Sequence, residues 1–263
     1  MKQRKICIFS AALVFATVFS VCGEVNEVYQ WALNITEQRI YTNAEGNTLP
    51  YRFHAPAKLE ADKKYPLVIL FHGAGSRGTN NCSQINHGGK EILAYTEKTG
   101  EEIFFIAPQC PEKMQWVDTP WSLMAHKMPA KPSENMGLAI ELITKMFKEQ
   151  PINRSRVCVT GISMGGYATW DIVQRHPEWF ATAMPLCGGG DATLAWKIRN
   201  VSIWAFHGSI DSVVPTARSR AMVAALWQCD GKIRYREYPG FGHNCWTATY
   251  EDESVLAWFL GGK

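Results

Sequence analysis

A strong charge of either sign is missing from this chain. Its 263 residues carry 27 Lys and Arg against 24 Asp and Glu, a formal net charge of +3. No Lys/Arg cluster interrupts the body of the sequence, so nucleic acid as a partner has no electrostatic footprint here. Metal-ligand spacings are also missing: there is no Cys-x-x-Cys and no His-x-x-x-His, and neither a metal nor a cofactor is expected. Linkers, repeat arrays and low-complexity tracts are absent too, which argues for a single folded domain. Disorder is excluded by composition, because 46% of the residues are hydrophobic, with 10 Trp and 12 Phe.

One long apolar run is present, at the start. "MKQRK" is basic, "ICIFSAALVFATVFSV" is apolar, and "CGEVNE" turns polar. This is the pattern of a secretory leader. Residues 1–23 are therefore expected to be removed, leaving 24–263 as the domain, secreted or periplasmic and with no stable membrane anchor. Export permits disulfides. Cys82, Cys110, Cys158, Cys187, Cys229 and Cys245 remain; six cysteines allow 15 pairings. Cys82 with Cys110, or Cys229 with Cys245, are the candidate pairs, while Cys158 in "RVCVTG" reads as a buried thiol. Sequons occur at Asn34, Asn81, Asn153 and Asn200.

The rest alternates. "YPLVILFHG", "IFFIAPQ", "RVCVTG", "ATAMPLCG" and "VSIWAFHG" are continuous apolar runs, as strands buried on both faces require. "QRIYTNAEGNTLPYRFHAPA" reads as a hairpin and "KIRYREYPG" as an edge strand. Helical periodicity lies between the runs. In 133–150, Met136, Ile140, Ile143 and Phe147 share a face, with Ser133 as N-cap; further helices are expected over 164–176, 217–228 and 251–261. The spacing predicts an α/β fold: a mainly parallel twisted sheet of about eight strands with helices on both faces. The stretch 110–132 is long for a connection and carries Trp116 and Trp121.

Chemistry concentrates at "GISMGG". Ser163 stands between a strand and a helix, with Gly161 and Gly165 around it. Glycines let strand and helix approach closely while the turn lifts the hydroxyl above the sheet, the G-x-S-x-G elbow. An elbow calls for an acid and then a histidine downstream. "HGSIDSVVP" places Asp211 after a strand, and "GFGHNCW" places His243 after the next. Asp191, after "LCGGG", is the alternative acid; Asp171, on the helix after the elbow, is expected to face away. His72 and His207, in strand-end "FHG" pairs, read as structural. Two N–H donors are needed for an oxyanion: Met164 from the elbow and Ala74 from the loop after "LVILFHG". That loop also contains "GAGSRG", which matches G-x-G-x-x-G, but the polar "TNNCSQINHGG" follows where a dinucleotide site needs a helix.

With "LVILFHGAG", "IAPQC", "NRSRVCVTGISMGGYATW", "LCGGGD", "HGSIDSVVP" and "GFGHNCW" in this order over residues 40 to 260, the chain resembles the α/β-hydrolase superfamily. Within it, the chain is similar to secreted esterases of carbohydrate esterase family 1 and to polyhydroxybutyrate-depolymerase-like and prolyl-oligopeptidase-like esterases. The resemblance implies an ester hydrolase with Ser163, Asp211 and His243 as triad and Ala74 and Met164 as oxyanion donors. Carbohydrate-linked feruloyl or acetyl esters are the favoured substrates, with Trp116, Trp121, Trp246 and Gln109 on the substrate side. A peptidase or lipase of the same fold, or a non-catalytic binding protein built on it, are the alternatives.

Overall fold

The computed structural model describes residues 27–261; the expected leader lies outside the described residues. Strand β1 (Glu37–Thr42) pairs antiparallel with β2 (Thr48–His54) through a turn that Gly46 closes at φ +87°. β2 then pairs antiparallel with β4 (Phe104–Pro108). All other pairings are parallel. β3 (Tyr65–Phe71), β5 (Ile152–Ile162), β6 (Thr182–Leu186), β7 (Ser202–Gly208) and β8 (Ile233–Tyr238) complete the eight-stranded order β1-β2-β4-β3-β5-β6-β7-β8. The expected edge strand is indeed at an edge, β8.

Side chains alternate across the central strands, and each side has its own core. Leu67, Ile69, Phe71, Val157 and Val159 face one cluster. There they meet α3 (Glu134–Glu149), α4 (Met164–Arg175) and α5 (Ala217–Trp227). Val68, Leu70 and Cys158 face the other, against α1 (Glu27–Asn34), α2 (Gly89–Thr99) and α7 (Glu253–Gly261). Helices therefore cover both faces. Ser133 caps α3 by accepting from Met136 N–H at 3.1 Å. The buried face of α3 is rotated from the expected one: Met136 and Ile143 are buried with Leu142 and Met146, while Ile140 and Phe147 lie at the rim. Among the described residues, no helix is long and apolar enough to cross a membrane.

Neither expected disulfide forms. Cys110, Cys158, Cys187, Cys229 and Cys245 carry unbridged thiols. Cys229 turns into the last turn of α5, donating to the Ala225 carbonyl at 3.3 Å, and the Cys245 thiol is buried against that of Cys187. Of the sequons, Asn81 is closed by folding: it is buried and its Nδ2 donates to the Arg39 carbonyl.

His72, just past β3, is held neutral. Its Nδ1–H donates to the Gly73 carbonyl at 2.7 Å and its Nε2 accepts from Cys110 N–H at 2.9 Å. Burial pushes its pKa down to about 4; Arg77 adds to this and the Gly73 carbonyl opposes it. The unfolded chain thus binds a proton near pH 6.5 that the folded chain refuses until about 4. The stabilisation is full above pH 6.5 and is lost as pH falls through this window, about 2 kcal/mol between pH 7 and pH 5. Urea unfolding at the two pH values should show a smaller difference in His72→Gln than in the native protein. An equal difference would mean that this imidazole is not the group responsible.

Candidate active site

The turn between β5 and α4 is strained. Ser163 sits at φ +55°, ψ −117°, a conformation rarely adopted outside glycine. Its N–H donates to the Leu186 carbonyl at 3.0 Å, which fixes the turn against β6. The neighbouring glycines are required by contact. A Cβ on Gly165 would lie 1.9 Å from the Phe71 carbonyl oxygen, and one on Gly161 would lie 2.3 Å from the Gly165 oxygen. The elbow is thus wedged between β3 and β6, with Ser163 at the head of α4.

Two loops converge on that serine. After β7, Asp211 turns back so that its Oδ1 accepts the N–H groups of Val213 and Val214 at 2.8 and 3.0 Å. Its Oδ2 accepts from Nδ1 of His243 at 2.7 Å. His243, on the loop after β8, presents Nε2 to the Ser163 hydroxyl at 2.8 Å. Burial opposes ionisation of Asp211. Hydrogen bonds from His207, His243, Val214 and Val213 outweigh it and hold the carboxyl well below the usual range. An anionic Asp211 fixes the imidazole tautomer with its proton on Nδ1 and its lone pair on Nε2, facing the hydroxyl.

Asp191 lies elsewhere. It caps a short helical turn through Thr193 N–H and accepts from Met128 N–H at 3.0 Å. Asp171 pairs with Arg175 at 2.6 Å. Of the three acids considered, only Asp211 meets His243.

Ala74 and Met164 each begin a helical segment, Ala74–Ser76 and α4. First-turn N–H groups have no carbonyl one turn back to accept them, the property an oxyanion donor needs. Ala74 and Ser163 line one cavity of about 400 Å³ together with His243 and Val213. Its aromatic wall is Trp121, Trp246 and His87. Trp246 meets the His243 ring edge-on at 5.4 Å and lies 5.9 Å from the His87 ring. After "GAGSRG" no α-helix follows at once: a single 3-10 turn, Ser83–Ile85, comes first, and α2 begins only at Gly89.

Two expected substrate-side residues are corrected. Trp116 is fully buried, packed on Phe71 at 5.1 Å and donating Nε1–H to the His72 carbonyl at 3.2 Å. It is a foundation of the loop over residues 110–132, with no face left for a ligand. Gln109 is fully buried as well. Its Oε1 accepts Asn81 N–H at 2.7 Å and its Nε2 donates to the Ser76 carbonyl and to Asn80 Oδ1. It ties down the loop whose Ser76 and Ser83 form the cavity wall, one layer behind the surface a substrate would touch.

One group of side chains among the described residues has metal-ligand geometry: Cys187, Asp211 and His243 offer atoms within 4.8 Å of one another. Burial pushes the Cys187 thiol well up, and the neighbouring Cys245 thiol adds to this. A protonated thiol is a poor ligand, and the Asp211–His243 pair is already closed on itself.

A mainly parallel eight-stranded sheet with helices on both faces and a serine elbow at the C-terminal end of β5 is the α/β-hydrolase fold. The phospholipase/carboxylesterase family model matches residues 56–254. The chain belongs to that family. It is similar to a thermostable esterase of known crystal structure, with 35% identity and a TM-score of 0.80 over 88% of this chain and 64% of that one. A ferulic acid esterase of family CE1 from Anaeromyces mucronatus shares the fold at 17% identity, with a TM-score of 0.60 over 86% of this chain and 91% of that one. Poly(3-hydroxyalkanoate) depolymerase C of Paucimonas lemoignei is 25% identical over 195 residues, 71% of this chain and 40% of its own length. The chain thus spans well under half of that depolymerase and less than two thirds of the thermostable esterase.

Proposed function

We propose that this protein is a secreted serine esterase that cleaves carboxylic esters through an acyl-enzyme. The carrying observation is the unbroken relay from the Ser163 hydroxyl through His243 to Asp211, opening on a cavity of about 400 Å³. A serine hydroxyl is a weak nucleophile until a base takes its proton. His243 Nε2 removes that proton as Ser163 Oγ bonds to the ester carbon. The carbonyl oxygen gains the charge, and the N–H groups of Ala74 and Met164 receive it. The tetrahedral intermediate collapses, His243 protonates the departing alkoxide, and the alcohol leaves. Water then attacks the acyl-enzyme by the same route, releasing the acid and restoring Ser163. Asp211 stays ionised throughout and stabilises the imidazolium.

The preferred ester is one carried on a carbohydrate, with a feruloyl or acetyl group. The aromatic wall formed by Trp121 and Trp246 suits a planar acyl group or a sugar face, and proteins of similar structure include ferulic acid esterases. A leader of the kind in residues 1–23 would bring the enzyme to such polymers outside the cytoplasm. A panel of p-nitrophenyl acetate, p-nitrophenyl butyrate, methyl ferulate and a peptide anilide tests the reading. The esters should turn over and methyl ferulate should give the highest kcat/KM. Cleavage of the anilide without the esters would replace the esterase with a peptidase.

A further inference from the structure

Asp211 serves two histidines. Besides His243, its Oδ2 faces Nε2 of His207 at 3.1 Å, and that nitrogen also lies 3.1 Å from the Val214 carbonyl. His207 is fully buried near the end of β7. Its other nitrogen, Nδ1, lies 2.7 Å from the Ser219 hydroxyl on α5, which itself reaches the Gly188 carbonyl at 3.2 Å. The two oxygens at Nε2, a carboxylate and a carbonyl, can only accept. Nε2 must therefore carry a proton, and in the neutral ring Nδ1 takes the single hydroxyl proton of Ser219, which is then not given to the Gly188 carbonyl. Each oxygen of Asp211 then holds two N–H donors: two backbone amides on Oδ1 and two imidazoles on Oδ2.

We propose that His207 is a positioning residue for the triad, fixing Asp211 from the side opposite His243 so that Oδ2 points at Nδ1–H of that ring. The inference rests on the esterase reading for its effect on turnover. Asp211 lies on a loop, and without His207 its Oδ2 would keep only the His243 bond and could swing with it. Ser219 sets the ring plane of His207 and lies 3.2 Å from the Gly188 carbonyl, beside the elbow helix, where a Cβ on Gly188 would lie 2.5 Å from the Gly166 carbonyl carbon. A continuous set of contacts thus joins the acid to the same part of β6 and α4 that shapes the nucleophile turn. A structural residue merely filling the end of β7 would need neither the buried N–H aimed at Oδ2 nor the shared acceptor.

Two variants separate positioning from packing. In His207→Gln the amide Nε2–H can reach Asp211; in His207→Asn the amide is too short to do so but can still meet Ser219. Counting active enzyme by fluorophosphonate titration, kcat of the Asn variant should fall about 10-fold or more below that of the Gln variant, with KM unchanged within a factor of about two. That is a fraction of the ~10⁴ lost when a triad aspartate itself is replaced. Equal kcat in the two variants would overturn the proposal. A measurement on the unaltered protein stands beside this one. Long-range ¹H–¹⁵N spectra of histidine-labelled enzyme should show His207 as the Nε2–H tautomer; the Nδ1–H tautomer would overturn it even if neither variant folds. Absence of ester turnover in the native enzyme would defeat the esterase reading instead, and the tautomer would be read all the same.

Discussion

Ser163→Ala should leave a folded protein with no measurable ester turnover, a loss on the order of 10⁶ in kcat. On the proposed mechanism the relay has one nucleophile. Removing its oxygen leaves His243 with no proton to take and the cavity with no atom to acylate. The substitution deletes a single small polar atom that is 7% exposed with its residue, so the fold should tolerate it. His243→Ala should cost a similar amount, since an unassisted hydroxyl is nearly inert, and triad losses do not add. Asp211→Asn should cost about 10⁴, because an amide can hold the imidazole in the wrong tautomer. Asp191→Asn should stay within a few-fold of native activity, since Asp191 holds Thr193 and Met128 rather than the ring. The check is steady-state hydrolysis beside fluorophosphonate labelling, which should mark native enzyme and spare the Ser163 variant. Labelling that persists in that variant would move the nucleophile elsewhere, and a larger loss at Asp191 than at Asp211 would reassign the acid.

Gly165→Ala should fail to give folded protein, or lose about 4 kcal/mol or more of stability. The added methyl would sit 1.9 Å from the carbonyl oxygen of Phe71 and 2.5 Å from its carbonyl carbon. Both belong to the backbone of β3 in the middle of the sheet, so no side chain can rotate to make room. The start of α4 would have to lift off β3, and with it the strained turn at Ser163. Gly137→Ala is the matched control. Gly137 lies within α3, with nothing inside 4 Å of the position a Cβ would take. Alanine there should stabilise by up to about 1 kcal/mol, because glycine is the poorer helix former. Soluble yield, circular dichroism and Tm of the pair provide the measure. A Gly165 variant as stable as the Gly137 variant would mean that the elbow does not pack as described.

The strands were legible because a two-sided sheet needs unbroken apolar runs, and "YPLVILF" is buried at every residue. The order of serine, acid and histidine was legible because each stands just beyond a strand end, where a parallel sheet presents its loops together. Several helices leave no such pattern in the sequence. In α2, Ile92 and Leu93 are the only large apolar residues among the buried positions Gly89, Ile92, Leu93 and Thr96, and the run follows a polar Asn/Gly stretch that resembles loop. Short α1 and α6 (Trp246–Tyr250) have too few turns for a period to stand out. The roles of Trp116 and Gln109 are hidden in the sequence for another reason. An indole or an amide is equally at home against a ligand or under a loop, and the choice depends on contacts 30 or more residues away, such as those of Gln109 with Ser76 and of Trp116 with His72. His207 shows the same limit in reverse: "FHG" announces a strand end, but not that the ring will turn onto a carboxylate four residues later.

The long connection after β4 supplies Trp121 to the cavity and none of the relay. Its buried anchors, Trp116 and the Ser133 cap that holds the Trp116 carbonyl at 2.7 Å, are separate from its exposed tip at Leu123 and Met124. This connection therefore reaches the cavity without carrying any of the relay, whereas Val213 and Trp246 line it from the segments of Asp211 and His243 themselves. An exchange of the exposed tip between the two anchors would leave the Ser163, His243 and Asp211 contacts in place.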